Sequence, residues 1–109
     1  MQIELFINGE KKVFTAPFIP LKAKRKYLEV QARAEEREGK PTTKEIIEED
    51  NEIMSILTDV VFKNEFTIEE LLNGASQEYI DSKLNEAIFG IKPKQQNDDQ
   101  GNEKGEQQL

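Results

Sequence analysis

Residues 43–64 have the sequence TKEIIEEDNEIMSILTDVVFKN, which carries the strongest helix signal in the chain. Its apolar residues recur every three or four positions, which is typical of an amphipathic helix. The stripe contains Ile46, Ile53, Leu57, Val60 and Val61, broadened by Met54 and Ile56. Thr42 and Glu45 have the spacing of a capping box, in which each side chain binds the backbone N–H of the other residue. We therefore predict a capped helix over residues 43–64.

Two shorter helices are predicted after this one, each with its own start signal. Residues 67–74 begin with Thr67-Ile68-Glu69-Glu70, which is a second capping box. Residues 76–89 begin with Ser76, a favoured N-cap residue. Gly90 follows them and favours the left-handed conformation that often ends a helix. These signals predict two helices separated by a tight connection.

Another helix is predicted before the central stretch, over residues 21–38. Its apolar stripe contains Leu21, Leu28 and Ala32, widened by Tyr27, Val30 and Ala34. Gly39 and Pro41 end this helix. The connector before it, residues 16–20, contains two prolines, which exclude regular structure there. Its apolar residues are expected to fill part of the core.

Residues 2–15 predict a β-hairpin. Apolar Ile3, Leu5 and Ile7 alternate with other residues up to Asn8-Gly9. Asn-Gly favours a type I′ turn, because both positions accept a positive φ. Phe6 and Phe14 are expected to form a second apolar face. A hairpin alone is only marginally stable, so its main apolar face must rest on the helices or on another copy.

The predicted fold class is mainly α (α+β), with an N-terminal hairpin followed by about four helices. Residues 1–92 are expected to form one domain. Residues 93–109 are rich in Gln, Asn and Gly and contain no aliphatic residue before Leu109. Such a composition buries too little apolar surface to offset the entropy of ordering. We therefore predict a disordered polar tail over residues 93–109.

The composition excludes most catalytic chemistry. The 109 residues include no Cys and no His and carry a formal net charge of −7. Cysteine nucleophiles and thiolate metal sites are therefore excluded, and the commonest general base is missing. The acidic run from Glu48 to Glu52 is interpreted as a solvated helix face. We expect no enzyme activity, catalytic residue, metal, cofactor or small-molecule ligand. Net negative charge also disfavours nucleic acid and anionic membranes as partners.

Lys22, Lys24, Arg25 and Lys26 form a basic cluster at the start of the first helix. Positive charge at a helix N-terminus opposes the helix dipole. The cluster is either a solvated patch or a contact for an acidic surface on another subunit or partner.

Apolar residues near two helix ends also allow two interpretations. Phe62 and Phe66 flank a helix break, where they either staple the helices together or contribute to an apolar docking site. Phe89 and Ile91 end the predicted domain and are either its last core contacts or a partner anchor. The sequence alone does not choose between these roles.

The order of these features resembles the tail assembly chaperones of long-tailed bacteriophages (siphophages). The most specific match is residues 62–74, FKNEFTIEELLNG, which resembles the family pattern Phe-x-x-x-Phe-Thr-hydrophobic-acidic-acidic-Leu-x-x-Gly. A hairpin with Asn8-Gly9, a proline-containing connector and a closing helix ending at Phe89-Gly90-Ile91 occur in the same order. The resemblance covers roughly residues 1–92.

The resemblance implies a chaperone that binds the tape measure protein, keeps it soluble and helps to recruit subunits of the major tail protein. It implies a homo-oligomer in the host cell cytoplasm that is absent from the mature virion. It also implies a longer product, made by programmed frameshift, that shares the N-terminal domain. Four motif positions can be carried over as candidate partner contacts: Phe62, Phe66, Leu71 and Leu72. Phe89 and Ile91 complete the candidate set.

Two other functions fit the sequence. An acidic regulatory or inhibitory protein could bind a DNA-binding protein through its carboxylates, although Lys and Arg mixed among the acids of three of the four predicted helices weaken this interpretation. A structural tail subunit could use the hairpin for edge-to-edge pairing. Virion composition separates this last function from a chaperone.

Overall fold

The hairpin forms as the sequence predicts. In the computed structural model, which describes residues 1–91, β1 (Gln2–Ile7) pairs antiparallel with β2 (Glu10–Thr15). Asn8 and Gly9 connect the strands with φ angles of 55° and 79°, as a type I′ turn requires. The predicted common face of Phe6 and Phe14 is wrong. Phe14 lies opposite buried Ile3 and faces the core, whereas Phe6 points outward on the other face.

Four helices follow the hairpin within residues 1–91, which confirms the mainly helical fold class. Their bounds are α1 (Lys22–Glu35), α2 (Thr43–Ser55), α3 (Ile68–Gly74) and α4 (Gln77–Phe89), with a π-helical segment (Ile56–Val61) that continues α2. The predicted tail over residues 93–109 and the domain boundary at residue 92 lie outside the described residues.

The predicted caps are present at α2, α3 and α4. The Thr42 hydroxyl accepts from the Glu45 N–H at 3.1 Å, and the Glu45 carboxylate accepts from the Thr42 N–H at 2.8 Å. Thr67 and Glu70 form the same pair of bonds at the start of α3. These interactions satisfy backbone donors that a helix N-terminus otherwise leaves unpaired. They depend only on neighbouring residues, which is why the sequence predicts them well.

The helix predicted over residues 43–64 changes character at residue 56. The Phe62 N–H donates to the carbonyl of Leu57 at 3.0 Å, which is the i to i−5 bond of a π-helix. The wider turn lets five of the six residues in the segment be buried: Ile56, Leu57, Thr58, Val60 and Val61. An α-helix with about 3.6 residues per turn would direct some of these side chains to solvent. The π segment therefore forms the centre of the core.

The apolar stripe predicted for α1 is wrong at its centre, because Leu21, Leu28 and Ala32 are exposed, whereas its predicted margin of Tyr27, Val30 and Ala34 faces the core. The helix buries Ala23 and Val30 and half-buries Tyr27, whereas Leu21 is 83% exposed and Leu28 is 48% exposed. Small Ala side chains let α1 approach the π segment closely, so the alanine side of the helix packs inward. The larger Leu residues consequently lie on its outer side.

Candidate functional site

The predicted partner contacts fall into two groups in the structure. Phe62, Phe66 and Leu71 are at most 3% exposed, and all three belong to the core. Leu72, Phe89 and Ile91 are exposed. Side chains of the first group offer no surface to a partner in this conformation. The candidate contact set therefore narrows to the second group.

The two Phe residues of the motif connect the helix break to the hairpin. The Phe66 ring lies 5.2 Å from the Phe62 ring and 4.9 Å from the Phe14 ring of β2, measured between centroids. Aromatic pairs at such distances contribute about 0.5–1.5 kcal/mol beyond burial of their area. Between them, Lys63 and Asn64 adopt positive φ angles that reverse the chain. The geometry supports the stapling interpretation for these two residues.

An open groove lies between α2, α3 and α4, with a volume of about 420 Å³. We call it the α2–α4 groove. Its apolar lining comes from all three helices and the α3–α4 connection: Ile53, Met54, Leu71, Leu72, Ala75, Ile80 and Leu84. Leu72, at 58% exposure, is the most accessible of these side chains. The groove therefore includes two of the predicted contacts, the exposed Leu72 and the buried Leu71, and the sequence did not single out its other lining residues.

Helix α2 supplies one wall of this groove and extends it. No residue of α2 is buried within the part of the chain that the structure describes, although the helix is amphipathic. Ile46 is 45% exposed and Ile47 is 55% exposed, one to two turns before the groove-lining Ile53 and Met54. In α2 itself, Ile53 and Met54 are half-buried and pack against the core, whereas the apolar surface continues to the exposed Ile46 and Ile47. Amphipathicity shows that a face is apolar, but it does not show what covers that face.

The rim of the groove is acidic. Asp50 and Asp81 line it from α2 and α4, and neither forms an ion pair within residues 1–91. On the other side of α2, Glu49 pairs with Arg37, and Glu52 pairs with Arg33 at 2.8 Å. Two carboxylates on the α1 side of α2 are therefore paired, whereas Asp50 and Asp81 at the groove remain available.

The comparisons with known proteins identify the family. A family model described as phage tail chaperone protein matches residues 1–108. This chain belongs to the phage tail chaperone family. The match continues beyond residue 92, where the resemblance was expected to end. Searches of curated proteins and of solved structures found no match.

The other exposed candidate contacts of this tail chaperone, Phe89 and Ile91, do not line the groove. The Phe89 ring contacts the Tyr27 ring edge-on at 5.3 Å between centroids, and Ile91 follows two residues later. Phe89 ends α4, whereas the groove includes residues at the start of that helix. Neither Phe89 nor Ile91 is among the residues that line the groove with Leu72.

The predicted basic cluster of the tail chaperone is mostly exposed. Lys22, Lys24 and Arg25 are exposed, and Lys26 is half-buried. None of the four forms an ion pair with another residue of the described range 1–91. Their charges are thus available to a partner.

Residues 1–91 contain no group of three or more His, Cys, Asp or Glu side chains arranged to hold a metal ion. No helix in the same range is both long and apolar enough to cross a membrane.

Proposed function

We propose that this phage tail chaperone binds apolar helical segments of the tape measure protein in the α2–α4 groove. Binding keeps those segments soluble and helps to recruit subunits of the major tail protein around them. The observation that carries the proposal is the uncovered apolar face of α2, which forms a wall of a groove already lined by aliphatic side chains. Family membership supports a tail protein as the partner.

The shape of the groove suits an amphipathic helix. A helix laid between α2 and α3 would present apolar residues at positions i, i+3, i+4 and i+7 to the groove floor. It would cover Leu72 together with the exposed Ile46 and Ile47. Fully burying an aliphatic side chain contributes about 1.5–3 kcal/mol, so covering each of these half-exposed residues contributes roughly 1 kcal/mol. Apolar contact is therefore the main source of affinity.

The acidic rim adds selectivity to this contact. Exposed ion pairs contribute only about 0.2–1 kcal/mol each, so Asp50 and Asp81 add less affinity than the apolar floor. They favour a helix whose apolar stripe is flanked by Lys or Arg and disfavour one flanked by carboxylates. The expected client is thus an apolar helix with basic flanks.

Several further properties belong to the same proposal. A non-enzymatic role is supported by the lack of His and Cys in the sequence. We propose that the protein works in the host cell cytoplasm, is absent from the mature virion, and shares residues 1–92 with a longer frameshifted product. Mass spectrometry of purified virions tests the second statement. Detection of the chain at stoichiometric levels would instead indicate a structural tail subunit.

The groove is tested by co-expressing the tape measure protein with chaperone variants and measuring its soluble fraction. The test variant combines Ile47→Gln with Leu72→Gln, and the matched control is Val13→Gln, which is similarly exposed on β2. We expect the soluble fraction to fall with the groove variant and to stay unchanged with the control. A groove variant that works as well as the natural sequence would contradict the proposal. A fourth sample, the Phe89→Gln variant, tests whether the end of α4 forms a separate contact with the tape measure protein.

A further inference from the structure

A helix is stabilised by acidic residues near its N-terminus and basic residues near its C-terminus, and most charges at the ends of α1 have the opposite arrangement. Its N-cap residue, Leu21, makes no side-chain cap within the described structure, and its first turn contains no acid. Lys24 and Arg25 stand near the N-terminus, whereas Glu35 and Glu36 end the helix. These four charges oppose the helix dipole, and only Arg33 in the last turn of α1 favours it. Helices α2, α3 and α4 all have side-chain caps and an acid in the first turn, so α1 is the exception.

The same charged residues border an apolar line on the outer face of α1. Leu21, Leu28 and Ala32 are exposed and fall in one line along the helix. Successive helical residues are about 100° apart, which places Lys24 and Glu35 along one side of the line. The same geometry places Arg25 and Glu36 along the other side. We call this surface the α1 outer face.

We propose that the α1 outer face is an interface between two copies of this chain, which pair antiparallel about a two-fold axis. An isologous contact requires a self-complementary surface. The α1 outer face is self-complementary because its first half is basic and its second half is acidic. An antiparallel arrangement places the basic half of each copy against the acidic half of the other.

The residue spacing fits such a pair. In an antiparallel helix pair, residues on the same side of the two apolar lines meet. Lys24 would then meet Glu35 of the second copy, and Arg25 would meet Glu36 of the second copy. Leu28 would lie beside Ala32 of the second copy near the two-fold axis. The same arrangement sets the two helix dipoles antiparallel, which relieves the unfavourable charges at both ends of α1.

A second copy explains the pattern better than a client helix does. The four charged residues form no ion pair within residues 1–91, although Arg33 of α1 and Arg37, just after the helix, pair with α2. The α1 outer face also lies away from the α2–α4 groove, since α1 contacts the side of α2 that carries Glu49 and Glu52. The interface therefore leaves the groove open and does not depend on the proposed function.

The experiment measures the mass of the full chain by sedimentation or light scattering over a range of concentrations. One variant carries K24E and R25E, which makes both halves of the face acidic. The other carries E35K and E36K, which makes both halves basic. We expect each variant alone to have an apparent dissociation constant raised about 100-fold, because four ion pairs become repulsive. An equimolar mixture of the two variants should associate again, since each supplies the charge that the other needs.

Thermal unfolding of the two variants separates loss of pairing from misfolding. Each variant brings the charges at one end of α1 into agreement with the helix dipole, so the unfolding midpoint of the monomer should stay unchanged or rise. Added salt should weaken association of the natural sequence. A natural chain that stays monomeric at every concentration would overturn the proposal, as would variants that associate normally or a mixture that does not recover. Loss of tape measure capture with unchanged mass would assign the face to the client and also overturn it.

Discussion

Gly74 and Phe6 approach each other so closely that the position of α3 depends on the missing side chain. A Cβ atom at Gly74 would lie 2.8 Å from the carbonyl oxygen and 3.2 Å from the backbone nitrogen of Phe6. Both atoms belong to the backbone of β1, which cannot rotate away as a side chain could. Gly74 therefore lets the end of α3 pack directly against the edge of the hairpin. The glycine that closes the family motif has a packing role here.

Replacing Gly74 with Ala should destabilise the fold by about 1–3 kcal/mol, the usual cost of forcing an extra group into a packed site. The free energy of unfolding in urea measures this cost. Gly90→Ala is the comparison, because its added Cβ meets nothing within 4 Å and only the φ of 73° is unfavourable. We expect that change to cost about 1 kcal/mol. Equal effects at the two positions would show that the contact with Phe6 is not tight.

The motif residues Phe62 and Leu72 should respond differently to truncation. Phe62 is buried among the rings of Phe66 and other core residues, so Phe62→Ala should cost about 3–5 kcal/mol of stability. Leu72→Ala should cost less than about 1 kcal/mol, since its side chain is mostly exposed. Urea unfolding of the two variants measures both values. A large loss at Leu72 would mean that the groove is already filled in the folded protein.

The side-chain cap of α3 should contribute more to stability than an exposed threonine that forms no cap. Thr67→Ala removes the hydroxyl that accepts from the Glu70 N–H and should cost about 0.5–2 kcal/mol. Thr67→Ser keeps the acceptor and should restore most of that loss. Thr43→Ala is the control, because Thr43 is exposed at the first position of α2 and Ala is a better helix former. A Thr67→Ser variant as unstable as Thr67→Ala would argue against the cap.

The sequence predicts those parts of the fold that depend on local chemistry. The type I′ turn at Asn8-Gly9, the caps at Thr42, Thr67 and Ser76, and the glycine after α4 each involve residues only a few positions apart. All of them are present in the structure.

The orientation of the helix faces could not be predicted, because it depends on distant parts of the chain. Helix α1 is apolar on two sides, and the larger Leu residues made the wrong side look like the core. The buried side carries Ala23 and Val30, whose smaller side chains let α1 pack closely against the π segment. The groove was missed for the same reason, since only the arrangement of three helices shows that α2 lacks a covering element within residues 1–91.

The groove should prefer a basic helix over an acidic one. Two synthetic amphipathic peptides with the same apolar stripe, one flanked by Lys and one by Glu, provide the comparison. We expect the Lys peptide to bind the natural chain about fivefold more tightly, because Asp50 and Asp81 form exposed ion pairs with it. The preference should disappear in a variant carrying Asp50→Asn and Asp81→Asn. Fluorescence anisotropy at two salt concentrations measures it, and a preference that survives both substitutions would place the selecting charges elsewhere.

Ending the chain after Lys92 should leave the fold intact. The buried apolar residues of the described range run from Ile3 to Ile88. The Gly90 N–H donates to the carbonyl of Glu86 at 3.0 Å, so α4 is closed before the proposed boundary. We expect the free energy of unfolding to change by less than about 0.5 kcal/mol and self-association to persist. Urea unfolding and light scattering measure the two properties, with the full chain as the control. A clear loss of stability would show that residues 93–109 contribute to the folded domain, and the boundary at residue 92 would then be wrong.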